Sequence, residues 1–274
     1  MHHPHLVGRD GALASAHSSM RRASATGRGS VIVVSGEPGI GKSAVLAAVA
    51  EDARRSSFRV GIGKAEQGDQ IAAGAPLLVS LRSGAQPLLD DDAFAALAPL
   101  YDKPLWLVDR ISVLLTELAR RSPILIAVDD VQWADRLTRF ALRVLPSRLA
   151  DSPVVWVMTS RPLPDAPLAE ILAGVQDGVA VTRIPLAPLP LDEIVTLANA
   201  RLGAEVSAPT RNLLAGVGGN PFFAVQVIDG LARRHERGES MSDLHTELSL
   251  GVRSRLTGLS APAAALIRLS AVWA

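Results

Sequence analysis

The sequence predicts an α/β domain built on a mostly parallel sheet and followed by an all-helical part. Three observations carry this. The runs Val31–Val34, Ile124–Val128 and Val154–Met158 are short, continuous and rich in β-branched residues, as strands covered on both faces should be. Helical patterns lie between them, and that alternation argues for a parallel sheet. The proline-rich stretch Ile184–Pro190 then ends the alternation, because its prolines exclude regular helix.

The elements follow in order. Val31–Val34 runs into a glycine-rich turn, and the alanine-rich segment Ser43–Arg54 reads as the next helix. Phe58–Gly63 is a weaker strand candidate; Asp69–Ala75 and Asp90–Asp92 read as loops. After Pro104, residues Leu105, Val108, Ile111, Leu115 and Leu118 recur at helical spacing. Ile124–Val128 ends in Asp129 and Asp130, and Asp135 suits the cap of a helix carrying Leu137, Ala141, Leu142 and Leu145. Val154–Met158 ends in Thr159, Ser160 and Arg161, and Val179–Pro185 is the second weaker strand candidate, the fifth in all. Beyond the prolines, Leu191–Leu202, Pro209–Ala215, Pro221–Arg234, Asp243–Leu256 and Pro262–Val272 all read as helix. The expected division is a nucleotide-binding domain over 1–185, a helical subdomain over 186–255 and a further segment over 256–274. The last residues, Leu269–Ala274, stop inside an apolar helical pattern, which reads as a cut through a longer protein.

Composition narrows the function classes. At 274 residues the chain is long enough to bury a core without staples. Cysteine is absent, which excludes disulfides, thiolate zinc sites, iron–sulfur centres and a cysteine nucleophile, and fits a reducing cytoplasm. A net charge of +1 gives no strong field toward nucleic acid or anionic lipid. The apolar runs fall far short of the roughly 18 residues of a membrane helix, so no membrane partner is expected. Aromatics make up only 4% of residues, so Ala, Leu and Val must build the core. His2, His3 and His5 read as a solvated terminus.

The strongest chemical signal is Gly36-Glu37-Pro38-Gly39-Ile40-Gly41-Lys42-Ser43, placed after a strand and before a helix. That context defines a phosphate-binding loop. Its glycines let successive backbone N–H groups curl inward around a polyphosphate. The helix start, through Ala44, adds unpaired N–H groups and the positive end of the helix dipole. Lys42 brings a point charge to the terminal phosphates, in a chain whose other lysines are only Lys64 and Lys103. Ser43 offers a hydroxyl to Mg²⁺, a cation that prefers hard oxygen ligands. The expected ligand is a polyphosphate with Mg²⁺.

Asp129 and Asp130 form the second signal. Carboxylates at the C-terminal end of a parallel strand face the crevice where ligands bind. Asp129 would hold Mg²⁺ directly or through water, and Asp130 would orient or deprotonate the attacking water. The bland alternative is that paired acids cap the next helix. Trp133 reads as a packing residue. Arg161 can reach a γ-phosphate from its strand end, and equally can be a surface arginine. In Gly218–Phe223, Asn220 as cap and Pro221 at the first helical position are a sufficient structural account.

With these residues in place, the sequence resembles the nucleotide-binding module of STAND-type ATPases, most of all the large ATP-binding regulators of the LuxR family. The resembling segments are Leu6–Asp10, Gly36–Ser43, Leu125–Asp135, Thr159–Pro162 and Gly218–Phe223, with Phe94–Tyr101 and Leu105–Arg110. The resemblance implies that the ligand is ATP or ADP and that Val7, Gly8 and Arg9 line the adenine pocket. It makes Asp129 and Asp130 the paired acids of the Walker B strand and Arg161 the γ-phosphate sensor. It also implies that Pro221 packs near the adenine from the helical subdomain. Ser260–Ala274 would begin a winged-helix domain. A helical repeat region and a C-terminal DNA-binding domain would follow in such regulators, so no DNA binding is expected of this chain alone.

The expected function is therefore a slow ATPase switch, with Lys42, Asp130 and Arg161 as its catalytic residues. No arginine finger is marked, and such a group is worth roughly 10³-fold or more in rate. Three alternatives stay open: a ring-forming motor of the AAA+ class, which usually has a Glu where Asp130 stands; a small-molecule kinase; and a nucleotide-locked scaffold without turnover. Beside the nucleotide itself, nucleotide-dependent self-association stays open as a partner interaction.

Overall fold

The computed structural model describes residues 6–67, 73–162, 167–176 and 178–237. The chain divides into two compact units, Met1–Pro188 and Leu189–Ala274. The helices expected over 243–256 and 262–272, with the segment 256–274, lie outside the described residues, as do His2, His3 and His5.

Among the described residues the first unit holds five strands: β1 (Ser30–Ser35), β2 (Arg59–Lys64), β3 (Ile124–Asp129), β4 (Val154–Ser160) and β5 (Ala180–Pro185). Their spatial order is β2-β3-β4-β1-β5, and every pairing is parallel. The mostly parallel five-stranded sheet expected from the sequence is thus present. Its helices are α1 (Asp10–Thr26), α2 (Lys42–Arg55), α3 (Ala75–Arg82), α4 (Asp91–Ala95), α5 (Pro104–Ala119), α6 (Arg136–Arg148) and α7 (Pro167–Ala173).

The strands are apolar at nearly every position because helices cover both faces. Val31, Val33, Ile126, Val128, Trp156 and Met158 face the layer of α3, α5, α6 and α7. Ile32, Val34, Leu125, Ala127, Val155 and Val157 face α1 and α2. This is the two-residue alternation of a strand, hidden in the sequence because both faces are buried. At the edge strand β2, Gly61 and Gly63 admit α3: a Cβ on them would stand 2.0 Å from the Ser80 carbonyl oxygen and 1.9 Å from that of Pro76.

Four helices depart from the sequence expectations; one of them, α7, had no pattern that signalled it. α1 was not signalled, because its buried positions Ala16, Ser19, Met20 and Ala23 are mostly small, and small residues give weak periodicity. α4 begins inside the stretch read as a loop: Asp90 caps it by accepting the Ala93 N–H at 2.8 Å, so these acids start a helix. α3 begins at Ala75, where a loop was expected to end, with Pro76 in its first turn.

The second unit contains α8 (Leu191–Leu202), α9 (Ala208–Ala215) and α10 (Pro221–Arg237). Leu189, Ile194, Ala198, Leu214, Ala224, Val227 and Ile228 form its core. Ser207 caps α9, and Asn220 caps α10 by accepting the Phe222 N–H at 3.1 Å. The bland account of Asn220 and Pro221 therefore holds in the structure.

Candidate nucleotide-binding site

All five strands end on one side of the sheet, and the sequence signals gather there. After Ser35 the chain turns through residues 36–41 and enters α2 at Lys42. Glycine is required at two points. A Cβ on Gly36 would lie 2.8 Å from the Ile40 methyl and 3.0 Å from the Leu186 carbonyl oxygen. Gly41 has open space around it but a φ of 102°, which L-residues rarely adopt. Between them Ile40 is buried as an apolar anchor, while Glu37, Pro38 and Gly39 are exposed.

The start of α2 is left open. Gly41 stands at its N-cap and supplies no side-chain bond. The first backbone bond of the helix runs from the Val45 N–H to the Gly41 carbonyl at 3.0 Å. The N–H groups of Lys42, Ser43 and Ala44 lie ahead of it, where a helix has no internal acceptor. Ser43 and Ala44 are exposed.

Lys42 is 6% exposed. Its ammonium donates to the carbonyls of Gly36 at 2.9 Å and Glu37 at 3.0 Å, which folds it back over the loop. An ammonium has three N–H donors, so one remains for a phosphate oxygen. Burial pulls the Lys42 pKa below its ordinary value. Asp130, Asp129 and Glu37 pull it back up, and Arg161 adds to the lowering. Lys42 thus shares one electrostatic field with both acids and with Arg161.

The acids are held by a side chain from the neighbouring strand. Asp129, the last residue of β3, is 6% exposed. The Thr159 hydroxyl donates to its Oδ1 and accepts the Asp130 N–H at 2.8 Å. Asp130 has φ 57° and ψ 47°, a left-handed conformation that Asp tolerates better than most residues. Gln132 donates from Nε2 to Asp130 Oδ1 at 2.8 Å and accepts the Arg161 N–H at 3.2 Å. The Arg161 guanidinium lies over the Trp133 ring, 5.5 Å from its centroid. Trp133 therefore does more than pack: it carries the arginine.

Other sequence candidates fall into different places. Arg9 is buried, and its guanidinium donates to the Ile40 and Ala187 carbonyls, each at 2.8 Å. It braces the phosphate loop from behind, and burial lowers its pKa. Gly8 and Arg9 border one cavity of about 360 Å³ with Arg183 and Leu186. Leu6 and Ala44 border another, an apolar groove of about 640 Å³ between α1 and α2. Val7 is half-buried in the turn ahead of α1. Pro221 belongs to the second unit.

Three roles escaped the sequence reading. The orienting role of Thr159 depends on its bonds across 30 positions to Asp129 and 29 to Asp130, and that of Gln132 on a similar span to Arg161. Asp135 does more than cap α6: its Oδ1 also accepts the Gly74 N–H at 2.8 Å. The signal for Gln132 was present in Gln132-Trp133, one residue beyond the two acids. Among the described residues there is no cluster of three or more His, Cys, Asp or Glu that could hold a metal, and no helix long and apolar enough to cross a membrane.

Comparison with known proteins agrees with this geometry. Residues 5–157 match the family model described as the AAA ATPase domain. An uncharacterized protein of Rhizobium meliloti (strain 1021) is 29% identical over 203 residues, covering 61% of this chain and 19% of that one. The chain thus spans less than a fifth of that relative's length. Among solved structures, the Aeropyrum pernix ORC1 protein in complex with DNA gives a TM-score of 0.62 at 14% identity, over 93% of this chain and 69% of that one. The Aeropyrum pernix ORC2 protein, in ADPNP–ADP complexes, gives 0.60 at 16% identity, over 89% and 68%. Cdc6p from Pyrobaculum aerophilum gives 0.57 at 14% identity, over 86% and 64%. At these identities the likeness shows the fold. The family match spans the phosphate loop and both acids, and on that basis the chain belongs to the AAA ATPase domain family, as a nucleotide-binding ATPase module.

Proposed function

We propose that this chain is an ATP/ADP switch with slow turnover, the STAND-type module of a larger LuxR-family transcriptional regulator. One observation carries the nucleotide part: the uncapped start of α2, with Lys42 folded over the loop and sharing a field with Asp129 and Asp130. The regulator part rests on the sequence resemblance.

In this reading the loop amides and Lys42 hold the phosphates, with Val7, Gly8 and Arg9 on the base side. Ser43 and Asp129 offer Mg²⁺ a hydroxyl and a carboxylate, hard oxygen donors that suit an ion keeping its other positions for water and phosphate. When bound, the ion neutralises charge on the phosphate oxygens. Asp130 orients the attacking water and takes its proton, while Arg161 responds to the γ-phosphate charge. Losing that phosphate removes the anion Arg161 answers to, which is the local event of a switch.

The test uses the whole chain. Mg·ADP at about 100 times its Kd should stabilise it by about 2.7 kcal/mol. Asp130→Asn should keep that shift, since Asn tolerates the left-handed backbone, and should slow single-turnover hydrolysis of ATP by about 100-fold. A parent chain with no nucleotide shift, or an Asp130→Asn variant that hydrolyses at the parent rate, defeats the proposal.

A further inference from the structure

Gln132 occupies an unusual electrical position. One end of its amide meets a group that only donates, the Arg161 backbone N–H at 3.2 Å. The other end meets a group that only accepts when ionised, the Asp130 carboxylate at 2.8 Å. That demand fixes the orientation of the amide: oxygen toward Arg161, nitrogen toward Asp130. Glutamate fails at the Asp130 end and lysine at the Arg161 end. A primary amide of this length meets both demands, and Gln132 is only 9% exposed, so water competes weakly for either bond.

Trp133, the next residue, holds the other part of the same arginine. The guanidinium stands 5.5 Å from the indole centroid, within cation–π range. Arg161 is thus tied at its backbone by Gln132 and at its side chain by Trp133. Both ties come from the short turn that also sets the Asp130 backbone at φ 57°.

We infer that Gln132 is a positioning residue that joins the water-orienting Asp130 to Arg161, and that Trp133 is the seat of the Arg161 guanidinium when no γ-phosphate draws it away. The inference rests on the proposed roles of Asp130 and Arg161 and adds the link between them. A γ-phosphate carries more charge than an indole face offers, so it pulls the guanidinium from the ring. Because Gln132 bonds the Arg161 backbone, that pull reaches the Asp130 carboxylate through one amide. Sensing the phosphate and aiming the base become one movement.

Two measurements on the whole chain test this. Gln132→Glu keeps size and the acceptor for Arg161 but loses the donor to Asp130. It should slow single-turnover ATP hydrolysis about 10-fold or more, with ADP affinity within twofold of the parent. Gln132→Ala should show the same split. Separately, Mg·AMPPNP should change tryptophan emission where Mg·ADP does not, and that difference should vanish in Trp133→Leu and in Arg161→Met. Parent-rate hydrolysis by Gln132→Glu overturns the link. So does a loss of ADP affinity that matches the loss of rate, since Gln132 would then only support the fold. Equal emission changes with both nucleotides, or a difference that survives Trp133→Leu, overturn the seat. If Asp130→Asn hydrolyses at the parent rate, the assignment of Asp130 falls and this link with it. If Asp130→Asn is slow and Gln132→Glu is not, the link alone falls.

Discussion

Two helices begin at the same end of the sheet, on opposite faces, and they treat their first turns in opposite ways. α6, after β3, is capped by its own carboxylate: Asp135 accepts the N–H groups of Leu137 at 2.8 Å and Thr138 at 3.0 Å, with the Thr138 hydroxyl at 2.6 Å. α2, after β1, has glycine at its N-cap and no capping side chain. Both starts carry unpaired donors and a positive dipole end. α6 supplies its anion from within the chain, whereas α2 leaves the place for one from outside. Asp135 is in this sense an internal stand-in for a phosphate, and it shows what α2 stands to gain when a nucleotide binds.

The comparison predicts opposite sensitivities. Asp135→Ala should harm the protein without ligand most. It removes the cap of α6 and leaves the Gly74 N–H and the Thr138 hydroxyl buried without their acceptor. A lost cap costs about 1 kcal/mol and each of the two orphaned buried groups about 1–3, so the expected loss is about 3–7 kcal/mol. Urea unfolding of the nucleotide-free chain measures it. ADP affinity of the fraction that remains folded should stay at the parent value; if it falls instead, α6 and α2 are not independent.

Lys42→Ala should show the reverse. Stability without ligand should change little, since the buried charge removed was held at a lowered pKa by desolvation. The stabilisation by Mg·ADP, about 2.7 kcal/mol at 100 times Kd, should vanish. A thermal melt with and without nucleotide reads both numbers. A variant that keeps the ligand shift removes Lys42 from the phosphate site.

How much of this was legible before the structure follows from which parts are local. The α2 start is built from one stretch, Gly36–Ser43, and chain order alone identifies it. The cap by Asp135 was legible for the same reason, since its helix partners lie two and three residues on. Its bond to Gly74 spans 61 positions and left no trace in the sequence. The same holds for Thr159 and Gln132, whose partners are set by the β3–β4 register. The Arg9 guanidinium reaches the Ile40 and Ala187 carbonyls across 31 and 178 positions, bonds that no local pattern encodes. α1 went unseen because Ala and Ser dominate its length and blur the helical period.

Gly36→Ala sharpens the comparison at the loop itself. The added methyl meets the Ile40 side chain at 2.8 Å and the Leu186 carbonyl at 3.0 Å, so the loop or the chain after β5 must shift. Overpacking of this kind costs about 1–3 kcal/mol. Nucleotide affinity should fall along with stability, because Gly36 also supplies one of the carbonyls that hold Lys42. Isothermal titration with ADP checks it; unchanged affinity would show that the loop tolerates the shift without moving its donors.

The smallest expected effect separates the acids themselves. The Asp135 carboxylate is consumed by the fold, accepting from Gly74, Leu137 and Thr138, whereas the Asp129 carboxylate is held by the Thr159 hydroxyl. Thr159→Val keeps the shape and deletes that hydroxyl. The Asp130 N–H loses its acceptor, which costs about 1–2 kcal/mol. Asp129 loses the bond that fixes its carboxylate, so its proposed use as a Mg²⁺ ligand should weaken while the loop amides and Lys42 remain intact. ADP affinity without Mg²⁺ should therefore match the parent, and the gain on adding Mg²⁺ should shrink several-fold. Titrations with and without the metal distinguish the cases. An equal loss in both would mean that Thr159 shapes the site as a whole, and that the acid is no freer than its capped counterpart.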